Sequence, residues 1–549
     1  MNTLRRPFAW TFLLAIATDT VSGQFSFPET SGPYVSGVYD FEFARERRGD
    51  DDVDVDDEGD YPRRIMARIW YPACTKDDVV TAVLDSETNA TNALCGGVDG
   101  VDLGRLRLYF EPNEQGTITG VPTGNFPWLD ALSRTELQSY LNAPPLVMMM
   151  NSTTTTTSSY PLIIHSHGAL GWVSDTQALI LEDLASQGIV VVAMTHPGGA
   201  AGVLYPNGDA VSSTGAFRTG VQQNFETFVP PIASTDIGTS YRSIQRWLGL
   251  GRGTTRYTSQ WSNDQKALLD YLTNLTVVDE ELSDGNATGF LATIVDQVDF
   301  ERVAFVGSAF GAAASTLSAV RDDRFECVVD FDWWGQSMET FNNDLGVPLL
   351  LFTTVYTGRT TNFFFEDLDT LGSDPDIRRI FIPNATHLDF TDFVFSPASF
   401  RSVLGNYPVG SGTIDGRFFQ QVVLTETLRF LSECIGGIPN ATLEGLSDPP
   451  PGAAVEVDVT DVAEWWANYS PPTSTPTTAP AMMSSPTDAP TTSPTPSPED
   501  DGGPTTTDSP SAGAYDKYCV GLGRSLTALV SAALQQQRAY RVLQCFVWI

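Results

Sequence analysis

The chain has 549 residues, 42% hydrophobic and 11% aromatic, which is enough for one large domain with appendages or for two domains. A formal charge of −36 argues against nucleic acid as a partner, because phosphate backbones are neutralised by Lys and Arg. The same charge disfavours non-specific docking on anionic membranes.

Residues 1–23 read as a secretory signal. Arg5 and Arg6 precede an apolar stretch from Phe8 to Ala17, too short to span a bilayer, and Val21-Ser22-Gly23 offers small residues for cleavage. Six cysteines, an even count, then suggest disulfides, with Cys74–Cys95 and Cys519–Cys545 proposed from proximity alone. Asn-x-Ser/Thr sequons begin at Asn89, Asn151, Asn274, Asn286, Asn384, Asn440 and Asn468, which together with a signal favours a glycoprotein. The acidic run Asp50–Asp60 reads as a solvated loop.

Residues 24–445 read as one domain. Short apolar runs alternate with helix-length patterns: Pro161–Ser166, Thr176–Gln187, Ile189–Met194, Arg302–Val306, Gly311–Val320, Cys327–Phe331, Pro348–Phe352, Arg379–Ile382 and Phe418–Leu431. This alternation predicts an α/β fold, a mainly parallel central sheet with helices on both faces. Residues 446–514 are rich in Pro, Thr and Ser with little to bury, and read as a disordered, O-glycosylated linker or stalk. Residues 515–549 form an apolar-basic tail. It has some features of a membrane-surface helix and of a glycolipid-anchor signal, but Gln535–Arg538 and Arg541 interrupt the latter.

The most informative run is Val306-Gly307-Ser308-Ala309-Phe310-Gly311. A nucleophile elbow has the form Gly-x-Ser-x-Gly on a sharp strand-to-helix turn, where side chains at the flanking positions would collide with the turn. Gly307 and Gly311 occupy those flanks, Ala309 stands at the nucleophile position, and Ser308 lies one place early. Serine hydrolysis also needs a base, an acid that orients it, and two N–H donors for the oxyanion. The chain has four histidines, His165, His167, His196 and His387, and only His387 follows the elbow, where the order nucleophile–acid–base requires the base. Of Asp330 and Asp332, Asp332 at the carboxyl end of an apolar strand is the better-placed acid. The expected donors are the N–H groups of Phe310, just after the elbow, and Ala169, in the loop after Pro161–Ser166. Without a hydrolase site, Asp332 would be a turn cap and His387 an ordinary loop residue near Asp389 and Asp392.

With these residues in place the chain resembles the secreted platelet-activating-factor acetylhydrolases, calcium-independent esterases of short or oxidised phospholipid acyl chains with the α/β-hydrolase fold. The resemblance runs from Ser31-Gly32-Pro33-Tyr34 to about Phe400, through Arg68–Pro72, Tyr160–Gly171, Asp183–His196, Asp299–Ala312, Arg324–Trp334 and His387–Phe395. By that likeness the family's acid falls on Asp332, its base on His387, its oxyanion donors on Ala169 and Phe310, and the acidic run becomes an insertion between the first two strands. The resemblance implies a phospholipid or other acyl-ester lipid as partner, a lipoprotein or membrane surface as the place to meet it, and a secreted protein. No metal or organic cofactor is implied. The family has serine where this chain has Ala309, usually histidine where it has Ser308, and a charged segment where it has Pro197–Ala201.

Alanine has no oxygen to acylate. The first reading is therefore a lipid-binding pseudoenzyme. The second is a working esterase, through Ser308, through water activated by His387, or because serine truly stands at 309. The third is a stalked cell-surface glycoprotein that uses the fold only as an interaction module.

Overall fold

The structure is a computed structural model describing residues 27–45, 63–84, 91–95, 101–109, 117–118, 121–122, 133–146, 159–169, 174–200, 202–207, 209–213, 252–275, 287–332, 345–354, 377–396, 401, 412–436, 438 and 455–456. All belong to one compact unit, Met1–Ala463 with Val542–Ile549; the other unit, Glu464–Arg541, contains none of them. The signal, the acidic run, most of the linker and the C-terminal tail thus lie outside the described residues.

Eleven strands form one sheet: β1 Tyr34–Arg45, β2 Arg63–Thr75, β3 Leu106–Leu108, β4 Glu136–Leu141, β5 Tyr160–Ser166, β6 Val190–Thr195, β7 Val298–Ser308, β8 Cys327–Phe331, β9 Leu349–Thr353, β10 Ile377–Phe381 and β11 Val455–Glu456. Their order is β11-β10-β9-β8-β7-β5-β6-β2-β1-β4-β3. From β6 through β5, β7, β8 and β9 to β10 every pair is parallel, while β1, β2 and β6 pair antiparallel in turn. The runs LIIHS, VVVAMT, CVVDF and LLLFT are buried throughout and mostly apolar because a parallel strand covered on both sides has no solvent face. The period of two divides them. Ile163, Val191, Ala304, Val306 and Val329 pack toward one face, and Leu162, Ile164, Val190, Val192, Val303 and Phe305 toward the other.

Helices α1 (Ala178–Ser186) and α5 (Gly416–Cys434) cover the first face, and α2 (Arg252–Leu275) and α3 (Ala287–Val295) the second. The Asp415 side chain caps α5, accepting from the Phe418 N–H at 3.0 Å. Helix α4 (Phe310–Arg321) follows β7 directly. Its alanine-rich start lets it lie close to the sheet: a Cβ on Gly307 would come within 2.4 Å of the Ala312 Cα. Two disulfides are present among the described residues. Cys74–Cys95 agrees with the pairing by proximity, and Cys327–Cys434 ties β8 to the end of α5 across 107 residues, which sequence distance concealed. Cys519 and Cys545 lie outside the described residues. β11 pairs antiparallel with β10, so the sheet continues past residue 445, where the composition begins to change.

Glu182, on α1, and Asp392, bonded to the start of that helix, are buried carboxyls. Glu182 accepts from the Ser139 hydroxyl at 2.8 Å and the Gln138 N–H at 3.0 Å, and Asp392 accepts from the Tyr109 hydroxyl at 3.0 Å. Burial is the main cause that pushes Glu182 up to about 8 and Asp392 up to about 7. Both therefore keep a proton in the folded protein that the unfolded chain releases above a pH of about 4. Their stabilising contribution is complete below that pH and is lost as pH rises through 7 and 8. We expect the urea midpoint to fall from about pH 4 to pH 8 and to level off above it, and Glu182→Gln to make that fall shallower. An unchanged slope in the variant would show that Glu182 ionises freely in the fold.

Candidate active site

The elbow is built as its glycines predict. Ala309 follows β7 with φ 51° and ψ −109°, a backbone that L-residues rarely adopt, and its N–H donates to the Phe331 carbonyl at 3.0 Å. No side chain fits at Gly311, where a Cβ would sit 2.2 Å from the Ser166 carbonyl oxygen. Helix α4 starts immediately afterwards, so Phe310 opens its first turn beside the positive end of the helix dipole. Ser308, the last residue of β7, pairs in register with Phe331 and shares the strand face of Ala304 and Val306. That parity sets its side chain on the sheet face covered by α1 and α5.

Asp332 and His387 meet, although 55 residues separate them. Asp332 follows β8 with φ 58°, its N–H donating to the Phe352 carbonyl at 3.0 Å. One carboxylate oxygen accepts from the Thr354 N–H at 3.0 Å and the other lies 2.6 Å from His387 Nδ1. Asp332 is fully buried, while the His387 side chain is 18% exposed. His387 opens a 3₁₀ turn, His387–Phe390, held by a reciprocal cap between Thr386 and Asp389. The nearby acids are engaged elsewhere: Asp389 with Arg401 at 3.1 Å and Asp392 with Tyr109. Asp330 takes a bond from the Thr316 hydroxyl at 2.9 Å, and burial pushes its carboxyl well above the usual range.

The loop after β5 abuts the elbow. A Cβ on Gly168 would lie 3.3 Å from the Ala309 Cβ, and Ala169 packs against the Trp261–Phe310–Ala314 cluster. The structure thus brings Ala169 into the cluster that holds Phe310, with Gly168 beside Ala309.

Beneath them lies a set that sequence reasoning missed. Ser166 Oγ is 2.8 Å from His196 Nε2, and His196 Nδ1 is 2.9 Å from Asp264, a carboxylate that also meets Arg63 at 3.1 Å and Arg45 at 3.3 Å. All of these side chains are at most 6% exposed. Burial alone would raise Asp264, but the charges of Arg63 and Arg45 and the His196 bond hold it well below the carboxylate range. Burial pushes His165 and His167 down to about 3 and lowers His196 as well, so all three are neutral near pH 7. No local motif announces this set, because Arg45 and Arg63 lie some 200 residues from Asp264. The nearest signal was a buried-type His196 with no carboxylate close in sequence.

A mainly parallel sheet with a strained strand-to-helix elbow at its centre is the α/β-hydrolase fold. It is similar in fold to a ferulic acid esterase from Streptomyces cinnamoneus, with a TM-score of 0.51 and 16% identity over 79% of this chain and all of that one. The family model described as platelet-activating factor acetylhydrolase, isoform II, matches residues 129–224 and 260–439, half of the chain, and the chain belongs to that family. Among its relatives are the platelet-activating factor acetylhydrolases of Cavia porcellus, 23% identical over 287 residues, and of Gallus gallus, 24% identical over 275. These alignments take in about half of this chain and 58% and 56% of those proteins.

Proposed function

We propose that this protein is an exported, lipid-binding pseudoenzyme of the acetylhydrolase family, holding phospholipids with short or oxidised acyl chains in a site that lacks the nucleophile. One observation carries the reading: an elbow with Ala309 at its apex stands among partners arranged for catalysis. Asp332 is the acid, orienting His387 through Nδ1, which leaves Nε2 as the base. The Phe310 and Ala169 N–H groups are the donors to the acyl oxygen, aided by the α4 terminus. In a working member a serine Oγ attacks the acyl carbon while the base takes its proton. Ala309 closes that route, and Ser308 lies on the wrong face of the strand to open it. Two disulfides and the exposed sequon asparagines Asn274 and Asn384 support export.

A second reading has one observation in its favour. The Asp332–His387 pair is complete and His387 is partly exposed, so His387 can activate water directly. Triad knockouts keep roughly 10³–10⁴-fold over water by such routes. Titration calorimetry of the full-length chain with 1-hexadecyl-2-acetyl-glycerophosphocholine and its deacetylated form tests both. The expected result is saturable binding of each, with no acetate release above buffer. Absence of binding would sink the first reading, and acetate release abolished by His387→Ala would establish the second.

A further inference from the structure

The loop His167-Gly168-Ala169 is held by a hydrogen-bond pattern that admits one reading of its protons. The His196 N–H donates to His167 Nε2 at 3.1 Å, so Nε2 is the unprotonated nitrogen of the ring. The ring proton is then on Nδ1, which donates to the Gly168 carbonyl oxygen at 2.6 Å. Gly168 C=O and Ala169 N–H belong to one planar trans peptide and point in opposite directions. With the carbonyl drawn to the imidazole, the Ala169 N–H is turned away from it. The same bond also polarises the amide and strengthens that N–H as a donor.

The ring is itself fixed by what surrounds it. The Trp261 indole stacks on His196 at 4.0 Å and 8°, meets His167 edge-on at 5.0 Å, and meets Phe310 edge-on at 4.7 Å. Asp264, one turn along the same helix, bonds the ring of His196. Gly199 leaves the space for the indole, since a Cβ there would come within 2.3 Å of it. One fully buried tryptophan therefore touches both the loop after β5 and the residue that follows the elbow apex.

We propose that His167 is a positioning residue of the oxyanion hole, its Nδ1–H aiming the Gly168–Ala169 peptide so that the Ala169 N–H faces the acyl oxygen, with Trp261 setting that peptide's place relative to Phe310. This deepens the assignment of Ala169 and Phe310 as donors and rests on it.

Two near-isosteres separate this role from simple space-filling. Asn at 167 places an amide nitrogen near Nδ1 and keeps the donor to Gly168. Gln places its oxygen near Nε2 and keeps only the acceptor for the His196 N–H. In the full-length chain carrying Ala309→Ser, with p-nitrophenyl acetate, His167→Gln should lower kcat about 100-fold with KM within about twofold, and His167→Asn should keep kcat within about tenfold. Equal loss in both variants, or better activity in the Gln variant, overturns the proposal. If Ala309→Ser alone gives no turnover, the catalytic reading of the site fails, and the natural chain decides the positioning claim. There, ¹⁵N spectra should show His167 as the Nδ1–H tautomer, and butyrate should shift the Ala169 amide in the natural chain and the Asn variant but not in the Gln variant. An Nε2–H tautomer, or shifts that ignore the substitution, overturns it, and the tautomer measurement requires no variant to fold.

Discussion

Replacing Ala309 with serine should raise hydrolysis of p-nitrophenyl acetate by the full-length chain at least about 10³-fold, because a serine protease that loses its nucleophile loses about 10⁶ in turnover. The backbone already holds the elbow conformation, so a serine inherits φ 51° without rebuilding the turn. His387 is already joined to Asp332 at 2.6 Å, so the base needs no reorientation. We set the gain below the full factor because Pro197–Ala201 departs from the family's charged segment. Adding His387→Ala should return the rate to that of the natural chain. A folded Ala309→Ser protein with no gain would mean that more than one oxygen is missing.

Removing the Asp264 carboxylate should be the most damaging single change to stability, about 3–5 kcal/mol for Asp264→Ala. Arg63 and Arg45 are 6% and 5% exposed at their side chains, so both would be left charged and out of water. His196 would also lose the partner of its Nδ1, and with it the register of the loop that carries Ala169. The folded-state pKa of Asp264 is depressed, so its contribution is present above the unfolded value of about 4 and is lost as pH falls through the folded one. The gap between natural and variant urea midpoints should therefore be full at pH 7 and narrow below about pH 4. A loss under about 1 kcal/mol at pH 7 would show that the arginines find water or other partners.

The central strands were legible in the sequence because strands covered on both faces are mostly apolar, and LIIHS, VVVAMT and LLLFT allow little else. Asp332 and His387 were legible because chain order and four histidines left few choices; the structure puts them in contact. Helix α2 was not legible. Its 24 residues are largely polar, and Trp261 and Asp264 show their purpose only once His196 is beside them. The Cys327–Cys434 bond escaped for the same reason, since its partners are neighbours only after β8 and α5 pack. What sequence hides here is pairing across the sheet, which no local pattern records.

The strained turn at Ala309 has a consequence for heredity as well as for chemistry. A non-glycine residue at such a backbone conformation costs of order 1–3 kcal/mol, and here the cost persists with no hydroxyl to deploy. The packing of Gly307 on α4 and of Gly311 on the Ser166 carbonyl, not the residue at the apex, holds the elbow in place. Every alanine codon becomes a serine codon by exchange of its first base. For the gene, alanine and serine at the apex of the elbow stand one nucleotide apart.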